Sequence, residues 1–308
     1  MNPYWDQTFF SFFWIFLKRI GSPLVADEIQ ILTLSCIAIC CGILGPLLVL
    51  KKSTMLANSL SHTILLGLVI TTLLTTVSIP PLAHLLLGAL ISALLTAAAT
   101  GLLTRYCRLQ EDASIGLTFT VLFAVGILFV TLFTRDVHLG VEAVLGNVDL
   151  LRIDDLILSV SLVCANALLI FFFFWPLQIA LFDFSFARAI GIRGTLFHGF
   201  LLFTTAATCI GAFRAVGVLL VLSFLVMPYL IARLFSNKLH LLLFLTPAIG
   251  VAVSFIGVAL SRHFLTVMGI PLSTGGLIAT VLALFYPLAI LIHRLLRYSR
   301  HAQDCSTR

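Results

Sequence analysis

A short polar cluster interrupts an apolar run in the first quarter of the sequence. Asn58 and His62 are four residues apart, with Ser59 and Ser61 beside them. Residues at this spacing project from one face of a helix. An imidazole nitrogen is a good ligand for Zn, Mn or Fe, and an amide oxygen is a weaker, harder one. The cluster therefore has the chemistry to line a metal path, and an interhelical hydrogen bond is the alternative role for its histidine.

The chain that must position this cluster is apolar throughout. Of its 308 residues, 61% are hydrophobic and 10% are charged, and the mean hydropathy is +1.17. Soluble domains average roughly 45–50% apolar and about 25% charged residues. The composition excludes a soluble globular enzyme and predicts an all-α, polytopic bundle of helices in a membrane.

The apolar runs predict about nine membrane spans, since each reaches the ~20 residues that a spanning helix requires. We place them at 29–50, 57–77, 80–104, 112–134, 156–181, 195–213, 215–233, 239–261 and 274–296. The apolar stretch near the N-terminus is too short to span, so residues 1–26 are predicted to form an interfacial helix. Residues 27–297 would be the transmembrane domain and residues 298–308 a cytoplasmic tail.

The loop charges predict the orientation. Most Lys and Arg residues fall in cytoplasmic loops if the N-terminus is outside and the C-terminus cytoplasmic, as the positive-inside rule requires. Most acids, including Asp27, Glu28 and Asp149, then lie in outer loops. The basic residues form no continuous patch, so we expect no nucleic-acid partner.

The spans carry little ionisable chemistry. No Asp or Glu lies in the middle of a predicted span, whereas carriers driven by protons or sodium usually have such acids. The sequence also lacks the GxxxxGK[ST] phosphate loop and the HExxH metalloprotease motif. We therefore predict no catalytic residues, and any ATPase that drives this protein would be a separate polypeptide.

A stripe of small residues marks the third predicted span. Ala89, Ala93, Ala97 and Gly101 recur every four residues and leave one helix face nearly flat. Small residues allow helices to pack closely in lipid. We expect either another helix of this chain or a second subunit to pack there.

Five segments occur in the order found in one transporter family. They are residues 55–67 around His62, 111–116, 145–147, 182–192 and 216–223. In these segments the chain resembles the membrane permeases of zinc, manganese and iron ABC importers. The resemblance runs from about the first span to the ninth.

The resemblance implies a multi-pass permease of the bacterial plasma (inner) membrane, surrounded by lipid, with His62, Asn58 and Ser59 along the metal path. Its expected partners are a pair of ABC ATPase subunits, a second permease subunit and an extracytoplasmic metal-binding protein. It would hold no permanent cofactor and would transport a divalent metal, Mn, Zn or Fe. The alternatives are a permease for another small solute, such as an iron-chelate or a vitamin, and a stand-alone secondary carrier.

By the same resemblance, residues 182–192 would couple the permease to its ATPase. Asp183 or Ser185 can cap a short helix that Gly191 ends. Ala187, Ala189 and Ile190 would give this helix a compact apolar face, with Arg188 between them. An ordinary solvated turn is the alternative.

Two positions depart from the family pattern. Asn58 replaces the acid that usually stands four residues before the histidine, and Gly269 lies where the last loop usually has an acid before Pro271. Losing a carboxylate lowers the affinity of a site for a hard dication. We therefore expect this subunit to supply half of an asymmetric gate, with a paralogous permease supplying the acid.

Overall fold

The computed structural model describes residues 25–51, 82–134, 148–192, 194–270 and 272–306, and single positions between 55 and 73. These residues form helices and short connections, with no strand among them. The helices are α1 (Ala26–Leu50), α2 (Leu82–Tyr106), α3 (Glu111–Phe129), α4 (Ile153–Phe182), α5 (Phe184–Ala189), α6 (Gly194–Val216), α7 (Val218–Phe235), α8 (Leu239–Met268) and α9 (Thr274–Ser306). A π-helical turn, Val130–Thr134, extends α3, and a 3-10 turn, Val148–Leu150, precedes α4.

The all-helical prediction is confirmed for the described residues. Six helices are long and apolar enough to cross a membrane: Ala26–Leu50, Asp112–Leu132, Ile153–Phe182, Val218–Phe235, Leu239–Met268 and Thr274–Leu295. Helices α2 and α6 contain shorter apolar stretches, Leu90–Tyr106 and Gly199–Phe213. The predicted span at 57–77 is described at single positions only, and these are helical. The predicted N-terminal helix, 1–26, lies almost entirely outside the described residues.

The chain divides into two compact units. The first contains Met1–Pro46, Val148–Leu156 and Ser223–Arg308. The second contains Leu47–Asn147 and Ile157–Leu222, and therefore holds His62 and the 182–192 segment.

Close helix packing in the first unit depends on residues without side chains. A Cβ atom at Gly42 of α1 would lie 2.8 Å from the backbone of Pro247 in α8. In the reverse direction, a Cβ at Gly250 of α8 would lie 3.1 Å from the Cβ of Ala38 in α1. Helices α1 and α8 thus approach to backbone distance, as expected where small residues let helices associate in lipid.

Two glycines end helices in the left-handed conformation. Gly217 has φ +82° and separates α6 from α7, slightly later than the break predicted near residue 214. Gly269 has φ +67° and caps α8, its N–H donating to the Leu265 carbonyl at 3.2 Å. A side chain is strained at this φ, so the helix end gives a physical reason for the glycine that departs from the family pattern.

Candidate functional site

His62 lies against two aromatic rings of α3. Its ring centroid is 4.9 Å from that of Phe119 and 5.4 Å from that of Phe123. The imidazole is half-buried, and its buried Nδ1 forms no hydrogen bond within the described part of the chain. Phenyl rings cannot satisfy a ring nitrogen as hydrogen-bond partners do. The interhelical hydrogen bond considered for this histidine is therefore not seen at Nδ1, and that nitrogen has no hydrogen-bond partner among the described residues.

The 55–73 segment, which carries His62, packs tightly on α2. The hydroxyl oxygens of Thr63 and Thr96 are 2.9 Å apart and share a hydrogen bond. A Cβ at Gly67 would collide with the carbonyl of Gly88 and lie 2.9 Å from the Cβ of Ser92. Both helices thus offer small residues every four positions, and the two sets run in opposite directions. We call this antiparallel contact the small-residue seam.

The same segment also packs on α3, with both running in the same direction. A Cβ at Gly126 would lie 3.1 Å from the backbone nitrogen of Leu66. Residue 62 is level with residues 119–123, and residue 66 is level with residue 126. Helices α2 and α3 also contact each other. The three helical segments are therefore in contact with one another, and we call the half-buried His62 and the buried hydroxyls of Ser59, Thr63 and Thr96 the polar interior of the second unit.

The predicted path residues fall partly within this arrangement. Ser59 is 1% exposed and lies one turn before Thr63 in the small-residue seam. Asn58 lies outside the described residues, so its role stays a prediction. The structure adds Thr63, Thr96 and a buried hydroxyl at Thr100. In the sequence, Thr96 and Thr100 belong to a second stripe on α2 with four-residue spacing, which lies directly beside the alanine stripe.

The alanine stripe itself is not the face that packs on the 55–73 segment. Ala97 is exposed, Ala93 is half-buried, and a Cβ at Gly101 would meet no described atom within 4 Å. Ala89 lies in α2, one residue after Gly88 of the seam. Packing of this stripe against a second subunit stays a prediction.

The 182–192 segment forms the capped helix that its sequence predicts. Asp183 is the cap, since its Oδ1 accepts hydrogen bonds of 2.9 Å from the backbone N–H groups of Ser185 and Phe186. Gly191 has φ +81° and ends the helix, with its N–H 3.1 Å from the Arg188 carbonyl. The segment is thus a defined helix, α5, and not a solvated turn.

The predicted apolar face of α5 is divided between two sides of the helix. Ala187 is fully buried, whereas Ala189 and Ile190 are exposed, Ile190 to 52%. Residues two apart on a helix are separated by about 200°, so Ala187 and Ala189 cannot share a face. Phe186, 55% exposed, joins Ile190 on the outer surface instead.

Two acids that the loop charges place on the outer side are buried in the first unit. Asp27 is fully buried and forms an ion pair with Arg262 of α8, and Glu28 is 4% exposed with its carboxylate 3.0 Å from the backbone N–H of Val25. Both residues stand in the first turn of α1, where the helix dipole favours negative charge. The two acids thus belong to α1 itself, and their position on the outer side of the membrane stays a prediction.

Asp149 belongs to the same polar group at the start of α1. Its Oδ1 accepts a hydrogen bond from Gln30 at 3.0 Å and another from Thr274 at 2.5 Å. The hydroxyl of Thr274 is 3.0 Å from that of Ser261. Asp149 is exposed, and it links the 3-10 turn to α1 and α9 through these two hydrogen bonds.

The described residues contain no cluster of three or more His, Cys, Asp or Glu side chains that could hold a metal ion. The polar interior around His62 therefore offers one imidazole and several hydroxyls. Such a set can contact a passing dication but cannot form a complete cage for it.

The sequence as a whole matches a family model, that of the ABC 3 transport family, over residues 29–293. The chain belongs to the ABC 3 transport family. As a member, it is a membrane permease subunit and a multi-pass protein of the inner membrane, as the motif order predicted.

Named relatives of this ABC 3 protein are metal transport proteins. A probable metal transport system membrane protein of Chlamydia muridarum is 37% identical, and the alignment covers 93% of both chains. The manganese transport system membrane protein MntC of Halalkalibacterium halodurans is 30% identical over 73% of this chain and 75% of that relative. Other matched relatives are named for zinc or iron transport.

The fold of this ABC 3 protein matches a solved structure. PsaBC from Streptococcus pneumoniae, in complex with a Fab, superposes with a TM-score of 0.78 at 22% identity, covering 93% of this chain and 99% of the other. The likeness supports the helical arrangement alone, since the sequences have diverged far.

Proposed function

We propose that this chain is the translocation subunit of an ATP-driven importer for a divalent transition metal, Mn, Zn or Fe. The observation that carries the proposal is His62, whose Nδ1 has no hydrogen-bond partner among the described residues and which belongs to the polar interior of a chain whose relatives are named for these metals. A neutral imidazole binds all three metals and releases them more readily than a multidentate cage does.

The partners follow from what this chain lacks. Its sequence has no phosphate-binding loop, so hydrolysis belongs to a separate pair of ABC ATPase subunits. With one histidine and no acid in its described polar interior, it would complete the path together with a second, paralogous permease. An extracytoplasmic metal-binding protein would deliver the ion.

The helix α5 is the element suited to receive the motion of the ATPase. It is short, capped at both ends and anchored by the buried Ala187, while Phe186 and Ile190 expose apolar surface. A rigid helix with an exposed apolar side can transmit displacement of a docked partner to α6, which it contacts. This role requires α5 to be cytoplasmic, as in the nine-span arrangement with the N-terminus outside.

The test is uptake by the reconstituted complex. The permease pair would be placed in liposomes with and without its ATPase, and uptake of Mn²⁺, Zn²⁺ and Fe²⁺ measured with the binding protein outside. We expect uptake of at least one ion that depends on both ATP and the ATPase. Uptake that persists without the ATPase would support a secondary carrier instead.

A second candidate is a permease for a chelated metal, because one relative is named as a chelated iron transport protein. That protein, from Yersinia pestis, is 29% identical over 83% of this chain. The same liposomes distinguish the two: a chelate permease would take up the ligand together with the metal, whereas an ion permease would leave the ligand outside.

A further inference from the structure

Among the described residues of the second unit, three hydroxyl groups are buried without a hydrogen-bond partner. They belong to Ser59 in the 55–73 segment, Thr100 in α2 and Thr118 in α3, which are 1%, 6% and 3% exposed. None of the three oxygens bonds to any group in the described part of the chain. Buried polar groups are almost always paired, so three orphans in one unit require an explanation.

The small-residue seam brings Ser59 and Thr100 to the same depth. One four-residue step beyond the Thr63–Thr96 pair places Ser59 opposite Thr100. At Gly67 and Gly88 the backbones touch, and at Thr63 and Thr96 the hydroxyls bond directly. At Ser59 and Thr100 neither hydroxyl has a hydrogen-bond partner among the described residues.

The packing on α3 brings Thr118 to that depth as well. Residue 66 is level with residue 126, and residue 62 is level with residues 119–123. One helical turn towards the start of both segments, the same register places Ser59 level with Thr118. Each of the three contacting helical segments thus contributes one of these hydroxyls, and all three lie at the same level, about 4.5 Å along the helix axis from His62.

Thr100 and Thr118 also lack the hydrogen bond to the preceding helical turn that neighbouring threonines make. Thr96 and Thr104 of α2 donate to the carbonyl four residues earlier, at 2.7 Å and 2.8 Å. Thr120 of α3 does the same to Gly116, at 2.8 Å. A threonine in a helix normally satisfies its hydroxyl in this way, whereas the hydroxyls of Thr100 and Thr118 do not.

Hydroxyls suit a hydrated ion better than a bare one. Each can donate one hydrogen bond and accept two, which matches the water shell of a cation. Without a carboxylate or a second imidazole in the described polar interior, a dehydrated dication would gain little there. A hydroxyl site next to an imidazole therefore fits an ion that is recovering its water.

Resting on the proposed function, we propose that Ser59, Thr100 and Thr118 form a hydroxyl triad that receives the hydrated dication as it leaves His62. In the predicted orientation, with the N-terminus outside, the 55–73 segment begins near the cytoplasmic face, which places the triad on the cytoplasmic side of the histidine. It acts in release, after loading from the binding protein.

The test compares threonines on one helix. Thr118→Val and Thr100→Val remove a triad hydroxyl with little change in volume, and Thr120→Val removes an exposed, self-bonded hydroxyl from α3. In liposomes with the complete complex, we expect the maximal Mn²⁺ uptake rate of the triad variants to fall roughly tenfold, equivalent to ~1.4 kcal/mol. The half-saturating Mn²⁺ concentration should stay unchanged, and Thr120→Val should match wild type.

Further variants separate release from folding. Thr118→Ser keeps the hydroxyl and should restore the rate, and the thermal stability of every complex would be measured in parallel. A wild-type uptake rate in Thr118→Val and Thr100→Val would overturn the triad. Raised thermal stability of these variants would then show that the buried hydroxyls only destabilise the fold. If the wild-type complex takes up no metal, the proposed function fails instead.

Discussion

The hydroxyl oxygens of Thr63 and Thr96 lie 2.9 Å apart, which joins the histidine-bearing segment to α2. On one side of this bond the backbones of Gly67 and Gly88 touch, and on the other the buried hydroxyl of Ser59 has no partner among the described residues. The bond thus lies between a close backbone contact and a buried polar group.

The glycine contact should be sensitive to a single methyl group. Gly88→Ala would push a Cβ to within 2.6 Å of the Thr71 side chain and 2.6 Å of the Gly67 carbonyl. We expect a loss of ~1–3 kcal/mol in the free energy of unfolding. Gly116→Ala, on α3 with no described atom within 4 Å of its Cβ, is the control and should be neutral or stabilising. Thermal unfolding of the purified complex measures both, and equal midpoints would contradict the contact.

The exposed side of α5 should carry the docking of the ATPase. Ile190→Asp places a charge on the exposed apolar surface and should sharply reduce copurification of the ATPase, with the permease still folded. Leu150→Asp is the control, since Leu150 is 71% exposed but lies in the 3-10 turn predicted outside. Equal ATPase yields from the two variants would show that α5 is not the docking helix.

The Asp183 cap of α5 should also contribute to coupling with the ATPase, because it keeps the docking helix folded. Asp183→Ala removes the acceptor of two backbone hydrogen bonds and should cost about 1 kcal/mol of local helix stability. Asp183→Asn keeps an accepting oxygen and should retain most of it. The measurement is the rate of ATP hydrolysis stimulated by the permease. We expect this rate to decrease from wild type to Asp183→Asn and further to Asp183→Ala. Full stimulation with Ala would mean that the cap is dispensable.

Breaking the buried ion pair between Asp27 and Arg262 in the first unit should be strongly destabilising. Arg262→Met leaves the buried carboxylate of Asp27 without its guanidinium and should lower stability by ~3–5 kcal/mol. Adding Asp27→Asn to that variant should recover part of the loss, because a neutral amide is less costly to bury. Thermal unfolding of the single and double variants checks this. A double variant no more stable than Arg262→Met would contradict it.

Much of the fold could be predicted because lipid imposes simple rules. Span lengths, the α5 helix and its Asp183 cap follow from apolar run length and local capping chemistry. The helix ends at Gly217 and Gly269 coincide with glycines at positive φ, whereas the apolar runs placed these ends near residues 214 and 261.

Tertiary pairing could not be predicted in the same way. Nothing local shows that Asp27 meets Arg262, which is distant in sequence, or that α2 packs through Gly88 and not through the adjacent alanines. The two stripes on α2 are one residue apart, so composition alone does not distinguish them. The choice depends on the matching stripe of the 55–73 segment.

The measurement that tests the central claim most directly is ATP-driven Mn²⁺ uptake by complexes carrying His62→Ala. The control is His240→Ala, an exposed histidine of α8 in the first unit. At equal assembly and equal ATPase content, we expect His62→Ala to lose most of its uptake, since Ala removes the imidazole nitrogen offered to the ion, while His240→Ala keeps it. Undiminished uptake by His62→Ala would contradict the account.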